Sequence, residues 1–422
     1  MTTAAHRTDS TARPRLLLIS QFFDPEPSYR GLAFARDLER LGYDVEVVTG
    51  FPNYPGGTVY DGYRIRLKQV EVMDGIRVTR LPLYPSHDAG RIGRILNYVS
   101  FMLALCIYLL LRRRKTDLYY VYHPPITVGI GVALARIFRR RPLVLEVQDM
   151  WPDTLAATGM IGSPRVLGIV GWACRWLYRR CDRIIVQSAG FRQLLEDRGV
   201  PASKLTTVLN WAEVDVLHAA RDTPAPGLRD DDGFRVIFAG TMGKAQALDT
   251  VLAAARTVAR TRPDVTFYFI GGGIALPQLQ ASAQDIPNAV FLPRVPLDRI
   301  GAFLARGDAL LVHLRDDPLF AITIPSKIPA YLAMGRPVII GVRGDAAALI
   351  TQADAGLAVP PEDADALAAA VLDLAGRDRA TRDAMGARGL QYYMDQLDAA
   401  HGLAAFDGVF RDALAQAEGD AT

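Results

Sequence analysis

Cysteine is scarce: Cys106, Cys174 and Cys181 are the only three in 422 residues. The odd number and the lack of any Cys-x-x-Cys pair argue against a disulfide framework or a zinc site. Cys174 and Cys181 lie seven residues apart on an expected helix. Two helical turns, about 10 Å, is too far for a bridge, so reduced thiols are expected. Net charge is also small. Lys and Arg number 48 against 45 Asp and Glu, leaving +3, so the total carries no electrostatic footprint of a nucleic-acid binder. The first fifteen residues, MTTAAHRTDSTARPR, hold no apolar run, and no signal peptide is expected there. P-loop spacing, a dinucleotide fingerprint and a DxD pair suitably placed for magnesium are all missing. Asp316-Asp317 reads only as adjacent carboxylates in a solvated loop.

What is present is an alternation of short apolar runs with helical spacing. RLLLIS at 15–20 reads as a buried strand. The loop QFFDPEPSYRG follows, then a helix carried by Leu32, Ala33, Ala35, Leu38 and Leu41, then a strand over 43–49. This order is a βαβ unit and predicts a parallel sheet, with ligands at the carboxyl ends of its strands. Further strands are expected over 76–81, 118–122, 142–147, 183–187 and 205–209. His123 and the run QDMWPD, with Asp149 and Asp153, follow two of them, so all three side chains can face one crevice. Gly31 can admit a phosphate close to the backbone of the first loop; its plain alternative is an ordinary turn.

Residues 95–111, ILNYVSFMLALCIYLLL, hold seventeen residues without a charge between basic flanks. A spanning helix needs about 20, and spanning would split one sheet across the bilayer. The expectation is a helix lying in the plane of a cytoplasmic leaflet, held by its basic ends, with a core helix as the alternative. Arg112 to Lys115, Arg139 to Arg141 and Arg179-Arg180 are the basic clusters, all in the first half. Trp172 and Trp176, with Arg175, Arg179 and Arg180, form a second aromatic-basic stretch.

Residues 222–233, DTPAPGLRDDDG, read as a linker. A second strand–helix series then begins. Its first turn, Gly240-Thr241-Met242-Gly243-Lys244, points backbone N–H groups at an anion, with Lys244 nearby. Gly271-Gly272-Gly273 ends the strand expected over 265–270. Strands are also expected over 289–292, 308–314 and 337–341. Residues 318–340, PLFAITIPSKIPAYLAMGRPVII, place Ser326 and Lys327 at a helix start, a second anion site, whose plain alternative is an ordinary connection.

Taken in order, FFDPEPSYRG, YHPPITVG, QDMWPD, VQSAGFRQLLEDRGV, TVLNWAEVD, FAGTMGKAQALDTVL, FIGGG and PSKIPAYLAMGRPVI resemble glycosyltransferase family 4, the retaining GT-B transferases. The chain looks closest to the bacterial fucosamine-transferase-like and colanic-acid-type branch. The resemblance implies an α/β fold of two Rossmann-like domains with parallel sheets facing a cleft. The implied division is a polar tail 1–14, an acceptor domain 15–221, the linker 222–233, a nucleotide-sugar domain 234–395, and a terminal helix 396–422 packing back on the first domain. It places Gly240, Lys244 and Gly272 at the donor, Arg294 and Val295 at the base, Ser326 and Lys327 at the diphosphate, and His123 against the transferred sugar. Gly31 falls in the loop that closes on the phosphates. Asp149 and Asp153 become candidates for the acceptor hydroxyl, with capping or an interdomain salt bridge as the alternative.

The implied activity is metal-independent, retaining transfer from a UDP-sugar, and the apolar helix points to a lipid-linked glycan as the acceptor. It would take place on the inner face of the cytoplasmic membrane, in surface-polysaccharide assembly, with no cofactor and no nucleic acid. One departure stands out: the two glutamates of the family signature fall at Ile322 and Ala330. That keeps two other readings open, a non-catalytic sugar-nucleotide or glycan-binding subunit and a UDP-sugar epimerase.

Overall fold

Runs such as RLLLI and LVLEV are apolar on both faces, as strands covered on both sides by helices must be. In the computed structural model, which describes residues 13–86 and 91–419, they form two sheets. The first holds β1 (Arg15–Ile19), β2 (Asp44–Gly50), β3 (Gln69–Met73), β4 (Ile76–Leu81), β5 (Leu118–His123), β6 (Leu143–Val147), β7 (Arg183–Val186) and β8 (Leu205–Thr207). Their order across the sheet is β3-β4-β2-β1-β5-β6-β7-β8. All pairs are parallel except β3 with β4. The second sheet holds β9 (Phe234–Thr241), β10 (Val265–Gly272), β11 (Ala289–Leu292), β12 (Ala309–His313), β13 (Val338–Gly341) and β14 (Gly356–Val359). Its order is β11-β10-β9-β12-β13-β14, parallel throughout. In both sheets the order reverses beside the first strand, which opens a crevice at the carboxyl ends.

The expected strands form, with ends displaced by one to two residues. Several elements were not anticipated, β3, β14 and the helix Arg379–Gln396 among them. β3 is an exposed antiparallel edge that needs no continuous apolar run. β14 carries only four residues, and the helix Arg379–Gln396 has a weak apolar stripe. All three cysteines are free. Of the polar tail, residues 1–12 lie outside the described part.

The apolar segment is a helix, Arg91–Leu111, whose ends join β4 and β5 of one sheet. One side packs tightly on the helix Ile126–Ala135, where a side chain at Gly131 would press on the Met102 carbonyl at 3.0 Å. The other side is open: Ile92, Ile95, Leu96, Leu103, Ile107 and Leu111 are exposed, Ile92 to 75% and Leu111 to 73%. Over 92–111 this stripe runs about 29 Å at the helical rise. Its composition and twenty-residue length suffice to cross a membrane. Exposed Val166, Ile169 and Trp172 repeat the pattern on the helix Pro164–Arg180.

The chain crosses to the second domain ahead of the helix Val214–Ala219, whose His218 Nε2 lies 2.9 Å from the Ala333 carbonyl, and returns after Gln396. The terminal helix Ala399–Gly419 seats Phe406 and Phe410 against Tyr120, at ring separations of 5.8 and 5.3 Å. Tyr43 donates to Asp407 at 2.7 Å.

Candidate functional site

The β1 loop is built on its own charges. Asp24 accepts the Leu32 N–H at 2.7 Å and so caps the following helix, Leu32–Arg40. A side chain on Gly31 would meet that carboxylate at 2.3 Å, so only glycine leaves the cap intact. Glu26 accepts N–H groups of Phe23, Asn53 and Tyr54, tying the β1 and β2 loops together. Burial raises its pKa. Arg30 turns inward. Its Nη2 donates to Glu146 Oε1 at 2.8 Å, both side chains are 1% exposed, and the guanidinium lies 4.1 Å from the Trp211 ring centre. Burial opposes its charge, and the adjacent Glu146 carboxylate outweighs that and raises its pKa. Tyr120 also donates to Glu146, and Asn210 accepts from Arg30. This cluster is the floor of the crevice. The sequence offered one signal for it, a charged residue, Glu146, inside an otherwise apolar strand.

On that floor, His123 ends β5 and packs its ring against Trp151 at 5.8 Å. It is 1% exposed, and neither ring nitrogen has a hydrogen-bond partner. Burial lowers its pKa to about 3, so the imidazole is neutral. Asp149 follows β6, and burial raises its carboxyl to about 6. Asp153 has a different environment. It stands in the first turn of the helix Asp153–Ala157 and takes both contacts of Arg198 Nη2, at 2.8 and 2.6 Å. The alternative expected for it, a salt bridge between domains, is not what forms: Arg198 belongs to the same domain as Asp153.

Across the cleft, the two glycine turns lie back to back. A side chain on Gly271 would strike the Gly240 carbonyl at 2.0 Å, and its φ of +146° suits glycine alone. Met242 N–H donates to the Gly272 carbonyl at 2.8 Å. The Lys244 loop is fastened from β12: His313 Nδ1 lies 2.8 Å from the Gln246 carbonyl, and Arg315 N–H donates to the Ala245 carbonyl at 2.8 Å. Glu362 N–H approaches His313 Nε2 at 3.3 Å, which makes Nδ1 the donor. Sequence reading missed His313, which appears there only as the last residue of a strand.

Ser326 and Lys327 open the helix Lys327–Ala333. Lys327 Nζ sits 3.8 Å from the Phe238 ring centre and 3.3 Å from where a Gly240 side chain would begin. Burial lowers its pKa from 10.5 to about 7, and none of the ion pairs or hydrogen bonds of the described residues engages Nζ. The glycine is thus the space into which the ammonium reaches. Arg294 and Val295 lie farther out, beyond β11; Arg294 is exposed and Val295 packs on the core.

The domains meet around a cavity of about 1550 Å³ lined by Asp153, Gly190, Thr241, Lys244, Gly273 and Arg315 among others. Ile322 also lines it; a side chain on Gly190 would touch Ile322 at 2.4 Å, and Ser188 Oγ donates to the Ile322 carbonyl at 2.5 Å. Ile322 therefore joins the domains. Ala330 is half-buried against the core. Among the described residues no three His, Cys, Asp or Glu side chains cluster.

Residues 30–211 match the Glycosyl transferase 4-like domain and residues 233–377 match Glycosyl transferases group 1. Over 153 residues the chain is 29% identical to the GDP-mannose-dependent alpha-(1-6)-phosphatidylinositol monomannoside mannosyltransferase of Mycolicibacterium smegmatis. That match spans 35% of this chain and 40% of the relative's length. The fold is similar to sucrose-phosphate synthase of Thermosynechococcus elongatus, with TM-score 0.71 and 16% identity over 96% of this chain and 100% of that one. It is likewise similar to Anabaena HepE solved with UDP, with TM-score 0.67 and 14% identity over 95% and 100%.

Proposed function

Since the chain belongs to the GT-B glycosyltransferases that join these two domains, we propose that it moves a sugar from a UDP-sugar, with retention, onto a lipid-linked glycan at the inner membrane surface. The observation that carries the donor side is Lys327: an amine half-buried at the mouth of two glycine turns, with no counter-ion among the described residues. Breaking the bond between an anomeric carbon and a diphosphate builds charge on the leaving oxygens. Fixed donors aimed there lower the barrier without reorganising. Lys327, Lys244, Ser326 and the N–H groups of the 240–243 and 271–273 turns are the donors on hand. The neutral His123 ring offers a hydrogen bond to the transferred sugar, and Asp149 a carboxylate to the acceptor hydroxyl. Departure and attack on the same face need no protein nucleophile. Neither step draws on a metal in this reading.

The acceptor side is supported by the exposed stripe of the Arg91–Leu111 helix. Six half-exposed Ile and Leu side chains, at about 1 kcal/mol each, contribute on the order of 6 kcal/mol on entering a bilayer surface. Arg113 and Lys115, exposed just past that helix, suit an anionic leaflet, whereas Arg112 and Arg114 are taken up by Glu46. The finer assignment, to the fucosamine-transferase-like and colanic-acid-type branch, belongs to the same proposal and rests on the ordered set of motifs from FFDPEPSYRG to PSKIPAYLAMGRPVI.

The test is a screen of UDP-hexosamines with undecaprenyl-diphosphate-linked saccharides, read as UDP release and as extension of the lipid. No turnover across a broad donor panel overturns the proposal. A second reading, a non-catalytic binding subunit, draws on Ile322 and Ala330, where apolar side chains replace acids. It expects calorimetric binding of the nucleotide sugar with no release of UDP.

A further inference from the structure

Away from the cleft, at the amino ends of β7 and β8, lies a second cavity of about 620 Å³. Arg136, Arg140, Arg179, Arg180, Arg183 and Lys204 line it; Asp182 is the one carboxylate among its lining residues. Among these lining residues the cations outnumber the carboxylates.

Several of these cations are held by neutral groups. Arg136, 9% exposed, gives Nη2 to Asp182 Oδ2 at 2.6 Å and Nη1 to the Arg180 carbonyl. That same carboxylate oxygen already accepts the Leu143 N–H at 2.7 Å. Arg136 Nε is buried and has no acceptor. Lys204 Nζ donates to the carbonyls of Arg179 and Cys181 at 3.1 and 2.8 Å. Arg183 donates to Gln416 at 2.6 Å. Arg180 lies 4.0 Å from the Trp176 ring centre. Asp182 matches Arg136, whereas carbonyls, an amide and an indole fix Lys204, Arg183 and Arg180 without cancelling their charge. Arg140 and Arg179 stand exposed at the mouth.

Fixed guanidinium forks around a hollow match the oxygens of a phosphate group. We infer that this pocket is a second anion site, distinct from the donor cleft, which binds a phosphate group. Two sources carry that group: the headgroup of an anionic phospholipid, and free phosphate. Ile137 and Phe138, 63% and 76% exposed beside the pocket, point to the lipid. The lipid source rests on the membrane-surface reading above; the anion site does not.

The test uses the full chain and the variant Arg140→Gln/Arg179→Gln. A second variant, Arg113→Gln/Lys115→Gln, removes two exposed charges outside the pocket. Far-UV circular dichroism establishes that each is folded. Co-sedimentation is measured with phosphatidylcholine vesicles, with and without phosphatidylglycerol, and thermal midpoints are measured with and without inorganic phosphate. Two charges near an anionic surface are worth about thirtyfold in binding wherever they sit. A pocket therefore requires Arg140→Gln/Arg179→Gln to lose at least about tenfold more than the second variant. Such a loss with vesicles alone assigns a lipid headgroup. A phosphate-induced rise in midpoint that vanishes only in the pocket variant assigns free phosphate. Equal losses in the two variants, or no loss in either assay, overturn the site. UDP-sugar binding, measured alongside, tests the cleft separately, so a failure there leaves the pocket result readable.

Discussion

Lys327 gives the donor site a pH dependence whose size follows from its surroundings. A diphosphate selects the ammonium form, while the empty site, through burial, brings its pKa down to about 7. The protonated fraction falls from about a half at pH ~7 to about a tenth at pH ~8 and a hundredth at pH ~9. Affinity for a UDP-sugar, whose diphosphate does not titrate in this range, should fall about fivefold over the first step and tenfold over the second, each tenfold being about 1.4 kcal/mol. Binding should take up about 0.5 proton at pH ~7 and about 0.9 at pH ~8. Isothermal calorimetry in buffers of different ionisation enthalpy reads both quantities, and Lys327→Met should abolish the uptake. The sign for the empty protein is fixed by the same lowering. Between about pH 7 and the ordinary value of 10.5, the unfolded chain binds the extra proton, so stability rises with pH across that window. That contribution is lost as pH falls through about 7. An affinity constant from pH ~6 to ~9, or proton uptake retained by Lys327→Met, would refute the reasoning.

Turnover by Lys327→Ala should fall by about 10²–10³-fold, read as UDP release, since one charge-stabilising donor is removed. Asp149, with its carboxyl near 6, should place an acid limb on kcat/KM; Asp149→Asn should remove that limb and lower the plateau, and an unchanged profile takes Asp149 out of the acceptor site. Arg30→Met leaves Glu146 buried and unpaired, which should cost about 3–5 kcal/mol in urea unfolding; a loss under about 1 kcal/mol would mean the floor relaxes around it. Ile107→Glu/Leu111→Glu should abolish vesicle binding while leaving circular dichroism unchanged, because both side chains already face out.

The parallel sheets were legible because a strand covered on both faces is apolar throughout, and such runs stand out between glycine turns. β3 was not, since an edge strand with one open face alternates and so reads as loop. At the site, the glycines and the Ser326-Lys327 pair could be read from local spacing. Arg30, Glu146 and Asn210 could not, because their partnership joins residues 116 and 180 positions apart. His313 was hidden for a related reason: its role is to hold another loop, and no local pattern marks that. Ile322 and Ala330 were noticed only as departures from a resemblance. The structure gives Ile322 a mechanical place, against Gly190 of the opposite domain.

The terminal helix Ala399–Gly419, seated on Tyr120 and Tyr43, means that the polypeptide passes between the two halves twice. A single tether lets two bodies swing and twist freely. Two tethers behave like the paired hinges of a door: rotation about the line through both is easy, and twisting across it is resisted. Tyr393, whose hydroxyl lies 3.2 Å from both the N–H and the carbonyl of Ala212, pins the outgoing crossing to the returning one. Any opening of the cleft would thereby be confined to one arc, along which Lys327 would return over the same floor.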